Sequence, residues 1–454
     1  MILINLYNKD KLLFFLTFIL FNSIYFGNLI IHISILSVFI YSVSFIKEIK
    51  LDYTEKILIF FSVYLIISSL NKSGYLINSI FFLKYAILFL SVKFIILKIN
   101  KKTFHNVVFS SMILLLFLII DLFYQKTTGL DIFGFESLAG GRLTGPFKDE
   151  MIPGSVLLYI GFYFVFFYYY KLINSENYFN NFLSFLLLSG FIIAILITGE
   201  RINFISSILL LSIIFFLIKS KFKHFIFTSL IIFLSIFIII EDDYLNSRYS
   251  SFFSTLNPSL DTKVFNQDEI DDYKKEIDIL KNKEKKETDK NILVSKMINK
   301  VNFFDTTWGA HYLTAFEMFK KKPLFGHGVK SFRDKCSQQI INSVNKSKRC
   351  STHPHNLHLE ILSETGIIGY LIFLTLILSI FIKSLKIIFN EKSYDKDNNF
   401  ILFIATFSLL LILIFPIKSS GRFFSTSFGF YFWLNLSLLN ASIRNILHKK
   451  SNNI

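Results

Sequence analysis

The sequence predicts an all-α, polytopic membrane helix bundle with one large external loop, and three observations predict it. Hydrophobic residues fill 53% of the 454 positions, 57 of them phenylalanine, far more than one water-soluble core would need. Runs such as 225–240 and 367–382 are too continuously apolar for amphipathic helices with a wet face. Apolar segments of roughly 17–25 residues recur between short polar turns, the length a helix needs to cross a bilayer while satisfying its own backbone.

Taken in order, the spans fall at 11–26, 28–46, 56–70, 75–97, 104–124, 152–171, 178–198, 203–219, 223–240, 358–384, 399–417 and 424–442. The first two are short and close together, so the count is eleven or twelve. The first runs from Leu12 into Phe26 without a small-residue cleavage site and reads as a retained span. Three regions follow: N-terminal spans over 1–240, a loop over 241–357, and C-terminal spans over 358–454. Within the first, 125–151 is an external segment whose glycines and Pro146 mark tight turns. Within the loop, 267–290 is a mixed-charge insertion that cannot bury a core and carries no assigned chemistry.

Basic residues set the orientation. Lys47, Lys50, Lys98, Lys101, Lys102, Lys221, Lys223, Lys383 and Lys386 fall in short loops on one side, which makes that side cytoplasmic. The short loops opposite hold few, among them Lys72, Lys418 and Arg422. The net charge of +16 therefore reflects topology and attraction to anionic lipid heads. No basic stripe is interleaved with exposed aromatics, so a nucleic-acid partner is not expected.

Arginine is scarce, and six of seven arginines (142, 201, 248, 333, 349 and 422) fall on the external side. The rigid guanidinium fork binds phosphate in a bidentate manner that lysine does not copy, so this distribution points to an external anion site. Lys84 lies well inside the fourth span, an expensive place for a charge unless it reaches an anion or snorkels outward. Cys336 and Cys350 share the external loop, where an oxidising compartment favours a disulfide over two free thiols. Trp308, Tyr312, Phe316 and Phe319 form one face of a predicted helix, read as a packing stripe in preference to a sugar platform.

The densest chemistry lies where the loop meets the tenth span, at Ser351-Thr352-His353-Pro354-His355-Asn356-Leu357-His358-Leu359-Glu360. Pro354 fits a first helical turn, which would place His355 there too. The positive dipole end disfavours an imidazolium and would keep that histidine neutral and able to act as a base. Asn356 is placed to orient it or to bind a sugar hydroxyl. Glu360 and Glu364 share a helix face and are expected to structure the helix entry and pair with an external arginine. Gly366 and Gly369 would permit close helix packing. His353, His355 and His358 do not share a clean face, so no metal site is expected.

The pattern His353-x-His355-Asn356 followed by Glu364-x-Gly366-x-x-Gly369 resembles the signature of the O-antigen ligase and O-antigen polymerase superfamily. Pro323-Leu324-Phe325-Gly326-His327-Gly328 resembles that family's Pro-Leu-x-Gly-x-Gly turn, and the segment from Gly141 to Phe147 also resembles a family segment. The resemblance implies transfer of glycan from an undecaprenyl-diphosphate-linked donor to a hydroxyl, without metal, nucleotide or other cofactor. The acceptor would be lipid A–core for a ligase, the favoured reading, or a second lipid-linked glycan for a polymerase. It implies a multi-pass protein of the bacterial inner membrane, in contact with membrane lipids, with its active face periplasmic. His355 would be the base with Asn356 beside it, and His353, His358 and Glu360 the secondary candidates. Arg201, after Thr198-Gly199-Glu200, resembles the family's arginine at that junction. With Arg248, Arg142 and Lys84 it would hold the diphosphate, while Glu200 would pair with Arg201. A lipid-linked glycan transporter or flippase is the alternative of another class, but it would call for mid-membrane charges in several spans and internal repeats.

Overall fold

Each predicted span falls on a helix, and the residues that end the helices are the ones that satisfy their free backbone groups. The structure, a computed structural model, describes residues 6–48, 50–70, 73–138, 141–218, 220–256, 306–338, 350–390, 397–416 and 418–452. The charged insertion 267–290, Lys72 and Arg349 lie outside them. In chain order the helices are α1 (Leu6–Asn22), α2 (Asn28–Val43), α3 (Tyr53–Ser69), α4 (Ser73–Lys98), α5 (Lys101–Thr128), α6 (Pro153–Ile173) and α7 (Tyr178–Ile197). There follow α8 (Arg201–Leu217), α9 (Lys221–Glu241), α10 (Asp243–Leu256), α11 (Thr307–Lys321), α12 (Leu357–Asn390), α13 (Asn398–Leu413) and α14 (Thr426–Asn452). Among the described residues, α4, α5, α6, α7, α9 and α12 are long and apolar enough to cross a membrane, and α2, α8 and α13 are shorter apolar helices. The described residues form no strand, only isolated bridges between Leu130 and Glu136 and between Leu138 and Arg142.

Local chemistry sets the boundaries. Asp52 accepts from the Glu55 N–H while Glu55 accepts from the Asp52 N–H, a reciprocal cap that starts α3. Asn100 caps α5, and Gly129, left-handed at φ 84°, ends it. Helix α6 carries a wide, π-type turn at Leu157–Gly161, a distortion often found beside functional groups.

The core is aromatic. Phe82, Tyr85, Phe423, Phe424 and Trp433 meet where α4 packs on α14, with ring centroids 4.9–6.4 Å apart. One end of the bundle is clamped by charge: Lys93 Nζ lies 2.7 Å from Glu55 Oε1, both buried, and Lys383 pairs with Asp52 at 2.8 Å. The histidine run, the 141–145 turn and the α7–α8 junction lie at the other end.

The most consequential irregularity is in α12. Gly366 adopts φ 70°, ψ −177° and interrupts the helix. The backbone groups freed there pair with Pro323–Gly328. His327 N–H donates to Ser363 O (3.1 Å), Gly328 N–H to Glu364 O (2.8 Å), and Ile367 N–H to Pro323 O (2.8 Å). The contact is backbone on backbone: a Cβ on Gly366 would lie 2.2 Å from Leu324 O, and one on Gly326 2.4 Å from Glu364. This corrects the helix-packing expectation for Gly366. Only Gly369 packs that way, where a Cβ would meet Tyr64 at 2.7 Å.

Helix α11 corrects a second expectation. It buries Gly309, Ala310, His311, Thr314, Ala315 and Met318, whereas Trp308 and Phe316 are 37% and 42% exposed. Small side chains let α11 lie close on α12, so the aromatic stripe is not its packing face.

Candidate functional site

The histidine run is held by the 414–425 segment between α13 and α14. Ser420 N–H donates to His355 O (2.9 Å), and Ser420 O accepts from His353 Nε2 (3.0 Å). That second bond places the His353 proton on Nε2, leaving Nδ1 to accept from Thr352 Oγ1 at 2.9 Å. Asn356 is the cap of α12: Oδ1 accepts the Leu359 N–H (3.0 Å) and Nδ2 donates to Pro416 O (2.7 Å). Its side chain also bonds the Tyr312 hydroxyl. His358 spends Nε2 on Ile414 O (2.8 Å) and Nδ1 on the Tyr370 hydroxyl (3.1 Å). Asn356, His353 and His358 therefore hold the segment in place.

His355 is differently placed. It precedes the helix, at a left-handed φ of 57°, so neither it nor Pro354 lies in the first turn and the helix dipole is not what keeps it neutral. Burial does so first, followed by the neighbouring His353 and His311, and together they push His355 down to about 3. Burial likewise holds His353 at about 4. The His355 ring lies 4.1 Å from His353, 5.3 Å from His311 and 4.8 Å from Trp308, centroid to centroid. Its Nε2 lies 3.2 Å from Ser351 Oγ. When Nε2 donates to that hydroxyl, Nδ1 presents a lone pair on a partly exposed ring.

Cys336 and Cys350 are disulfide-bonded, with Cα atoms 5.3 Å apart. Cys336 packs with Ala315, Met318 and Phe332, so the bond ties the residue before Ser351 to the underside of α11. The two carboxylates of α12 brace loops, and among the described residues neither forms a salt bridge to an arginine, although the Arg422 charge acts on both. Glu364 accepts from Lys330 N–H (2.6 Å) and Phe332 N–H (3.0 Å), and Glu360 accepts from Phe423 N–H (2.9 Å). Arg422, between them and His353, donates to Lys330 O at 3.2 Å.

Three arginines gather at the α7–α8 junction. Arg201 Nη1 donates to Arg248 O (2.9 Å) and Ser251 Oγ (3.2 Å), and Arg248 Nε donates to Gly199 O (3.3 Å). Tyr244 is the wedge that joins them. Its ring lies under Arg248 at 5.6 Å, and it abuts Gly141 and Gly199, where Cβ atoms would stand 3.2 and 2.8 Å away. Arg142 joins on the 141–145 turn, near Glu200 and Arg248, with its Nε buried and without a hydrogen-bond partner. Glu200 does not pair with Arg201. It accepts from Gly154 N–H at 2.9 Å and from Asn203, fastening α6 to α8. Burial raises its carboxyl to about 7 against the pull of Arg142, so near neutral pH it offsets only part of the arginines' charge. Lys84 lies elsewhere: its ammonium donates to Thr426 at 3.2 Å, and Lys330 is a like charge that acts on it.

Lys418, read in the sequence only as a loop charge, ties the 414–425 segment to α6. Its ammonium bonds Tyr159, in the π-type turn of α6, and lies 4.7 Å from that ring's centre. Burial lowers Lys418 to about 7. Tyr159 follows Gly154, the partner of Glu200, on α6, while Lys418 sits between Pro416 and Ser420, the partners of Asn356 and His353. From the arginine end, an apolar groove of about 370 Å³ runs between α8 and α9, lined by Phe204, Ile205, Ile208, Ile232, Ile236 and Ile239.

In the sequence Lys418 and Arg422 stand only as external charges, and His311 and Tyr244 carry no reading. Arg422 was visible as a scarce external arginine and His311 as a histidine on a helix feeding the loop. Lys418 and Tyr244 had no local signal, because distant segments make their contacts. The model of a protein family described as O-antigen ligase matches residues 182–374. No curated protein matches the chain.

Proposed function

We propose, from a chain that carries the domain of the O-antigen ligase and polymerase superfamily, that the protein is an integral-membrane glycosyltransferase acting on an undecaprenyl-diphosphate-linked glycan. The observation that carries this reading is a neutral, partly exposed His355 at the same end of the bundle as three arginines. Arg201, Arg248 and Arg142 would bind the diphosphate, with the polyprenyl chain in the groove between α8 and α9. An acceptor hydroxyl attacks the anomeric carbon as His355 Nδ1 takes its proton. The new glycosidic C–O bond forms, the bond from that carbon to the diphosphate oxygen breaks, and undecaprenyl diphosphate departs with the bonding pair. The arginines stabilise the charge that develops there. Lys418, bonded to Tyr159, would hold the 414–425 segment against α6.

The ligase reading, with lipid A–core as acceptor and the site on the periplasmic face, is favoured by the His-x-His-Asn segment after the large loop. Expression in ligase-null and polymerase-null hosts tests it. Glycan attached to lipid A–core in the first host supports a ligase. Chain lengthening in the second reassigns the protein as a polymerase. Neither product, from protein that is present in the membrane, rejects glycan transfer.

A further inference from the structure

We propose that Trp308 is the stacking platform for the accepting sugar, a subsite for one pyranose ring of the acceptor glycan; the inference rests on glycan transfer with His355 as base. The first ground is position. The indole and the His355 imidazole meet edge to face, with centroids 4.8 Å apart. The proton His355 removes belongs to the acceptor, so the sugar ring beside the base is the acceptor's, and the donor's reactive carbon lies toward the arginines. The second ground is a place outside the α11–α12 seam. Helix α11 seats itself on α12 through Gly309, Ala310, Thr314, Ala315 and Met318, and leaves Trp308 37% exposed at its first turn. The third is chemistry. A pyranose has an apolar face of C–H groups carrying slight positive charge, and the electron-rich face of an indole suits it. The polar edges of such a sugar would lie against His355 and Ser351.

An interfacial anchor is the competing role for an exposed tryptophan. Against it stand the neighbours: Trp308 touches His355, and His311 stacks on that same imidazole at 5.3 Å, a polar surround. Phe316, two turns along α11, is also exposed and serves as a control.

The test uses the full-length protein in lipid nanodiscs. The chain has two tryptophans, and Trp433 is wholly buried, so a sugar-dependent change in emission reports on Trp308. The probe is the oligosaccharide released from the host's own lipopolysaccharide core. The expected result is a saturable emission change in the wild type that is lost in Trp308→Phe. In transfer assays Trp308→Ala should raise the acceptor KM about tenfold or more while kcat stays within about threefold. Trp308→Phe should recover much of that loss, and Phe316→Ala should match the wild type. An unchanged KM in Trp308→Ala overturns the proposal. So does a fall in kcat at constant KM, which would make Trp308 a support for His355. Emission quenched by headgroup-labelled nitroxide lipid and indifferent to sugar would place it at the membrane interface instead. The titration needs no turnover, so an inert wild type counts against glycan transfer, whereas a flat titration counts against the platform.

Discussion

His355 combines an open ring nitrogen with a left-handed backbone, and both follow from its place just before the α12 cap. Few side chains tolerate that backbone, and asparagine is among those that do, so His355→Asn removes the base with little strain. The neutrality of the cluster has a pH signature. His353 and His355 sit at about 4 and 3, below the ordinary histidine value. Above about pH 6.5 they are neutral both folded and unfolded, so their contribution is fully present. As pH falls below that, the unfolded chain binds protons first and stability is lost until the folded values are reached. Glu200, held at about 7, works the other way over part of this window, so the measurement is a difference. The melting temperature of the wild type should fall more steeply from about pH 6.5 to 4 than that of His353→Gln. Parallel curves would remove the cluster from the account. Arg201→Lys keeps a charge but loses the fork that now spans Arg248 O and Ser251 Oγ. Donor affinity should drop about tenfold or more, and Arg201→Ala should be weaker still. Unchanged affinity in both would take Arg201 out of the site. At this scale the sequence was legible where a motif is local. The Ser-Thr-His-Pro-His-Asn run showed where the histidines lie, but not that Asn356, His353 and His358 are consumed by contacts with 414–420.

Helix α12 shows what one glycine does to an element. The sequence reads as a continuous apolar helix, and hydropathy cannot reveal that Gly366 turns left-handed to receive Pro323–Gly328. The signal was present as two glycine motifs about 40 residues apart, each ordinary alone and complementary once paired. Because both sides of the contact are backbone, neither can yield. Gly366→Ala combines a left-handed strain of about 1–3 kcal/mol with a clash against Leu324 O. It should lower the melting temperature by several degrees and depress transfer, since the same junction positions the start of α12. A wild-type melting curve would contradict this reading of the kink. The aromatic stripe of α11 misled for a related reason: close approach to α12 favours glycine and alanine, so the larger residues face outward.

Across the whole molecule the apolar helices were legible, because length and apolarity are properties of single segments and the lipid constraint acts on each alone. Convergence was not legible. The arginine group assembles from the 141–145 turn, the α7–α8 junction and α10, and the histidine group from α11, the head of α12 and the 414–425 segment. Lys418 and Tyr159, 259 residues apart, tie the 414–425 segment to α6. Topology then becomes the premise for one shared face. Ser220, at the α8–α9 turn where it donates to Asn174 Oδ1, lies opposite that face. Ser220→Cys should react with a membrane-impermeant thiol reagent only after the inner membrane is opened, and labelling in intact cells would invert the orientation. The central claim is that binding and chemistry are divided between the arginine group and His355. It is tested most directly by measuring donor binding and glycan transfer together, for the wild type and His355→Asn in nanodiscs with undecaprenyl-diphosphate-linked glycan. The account predicts donor affinity close to the wild type and transfer reduced about a hundredfold or more. Transfer within a few-fold of the wild type would contradict it.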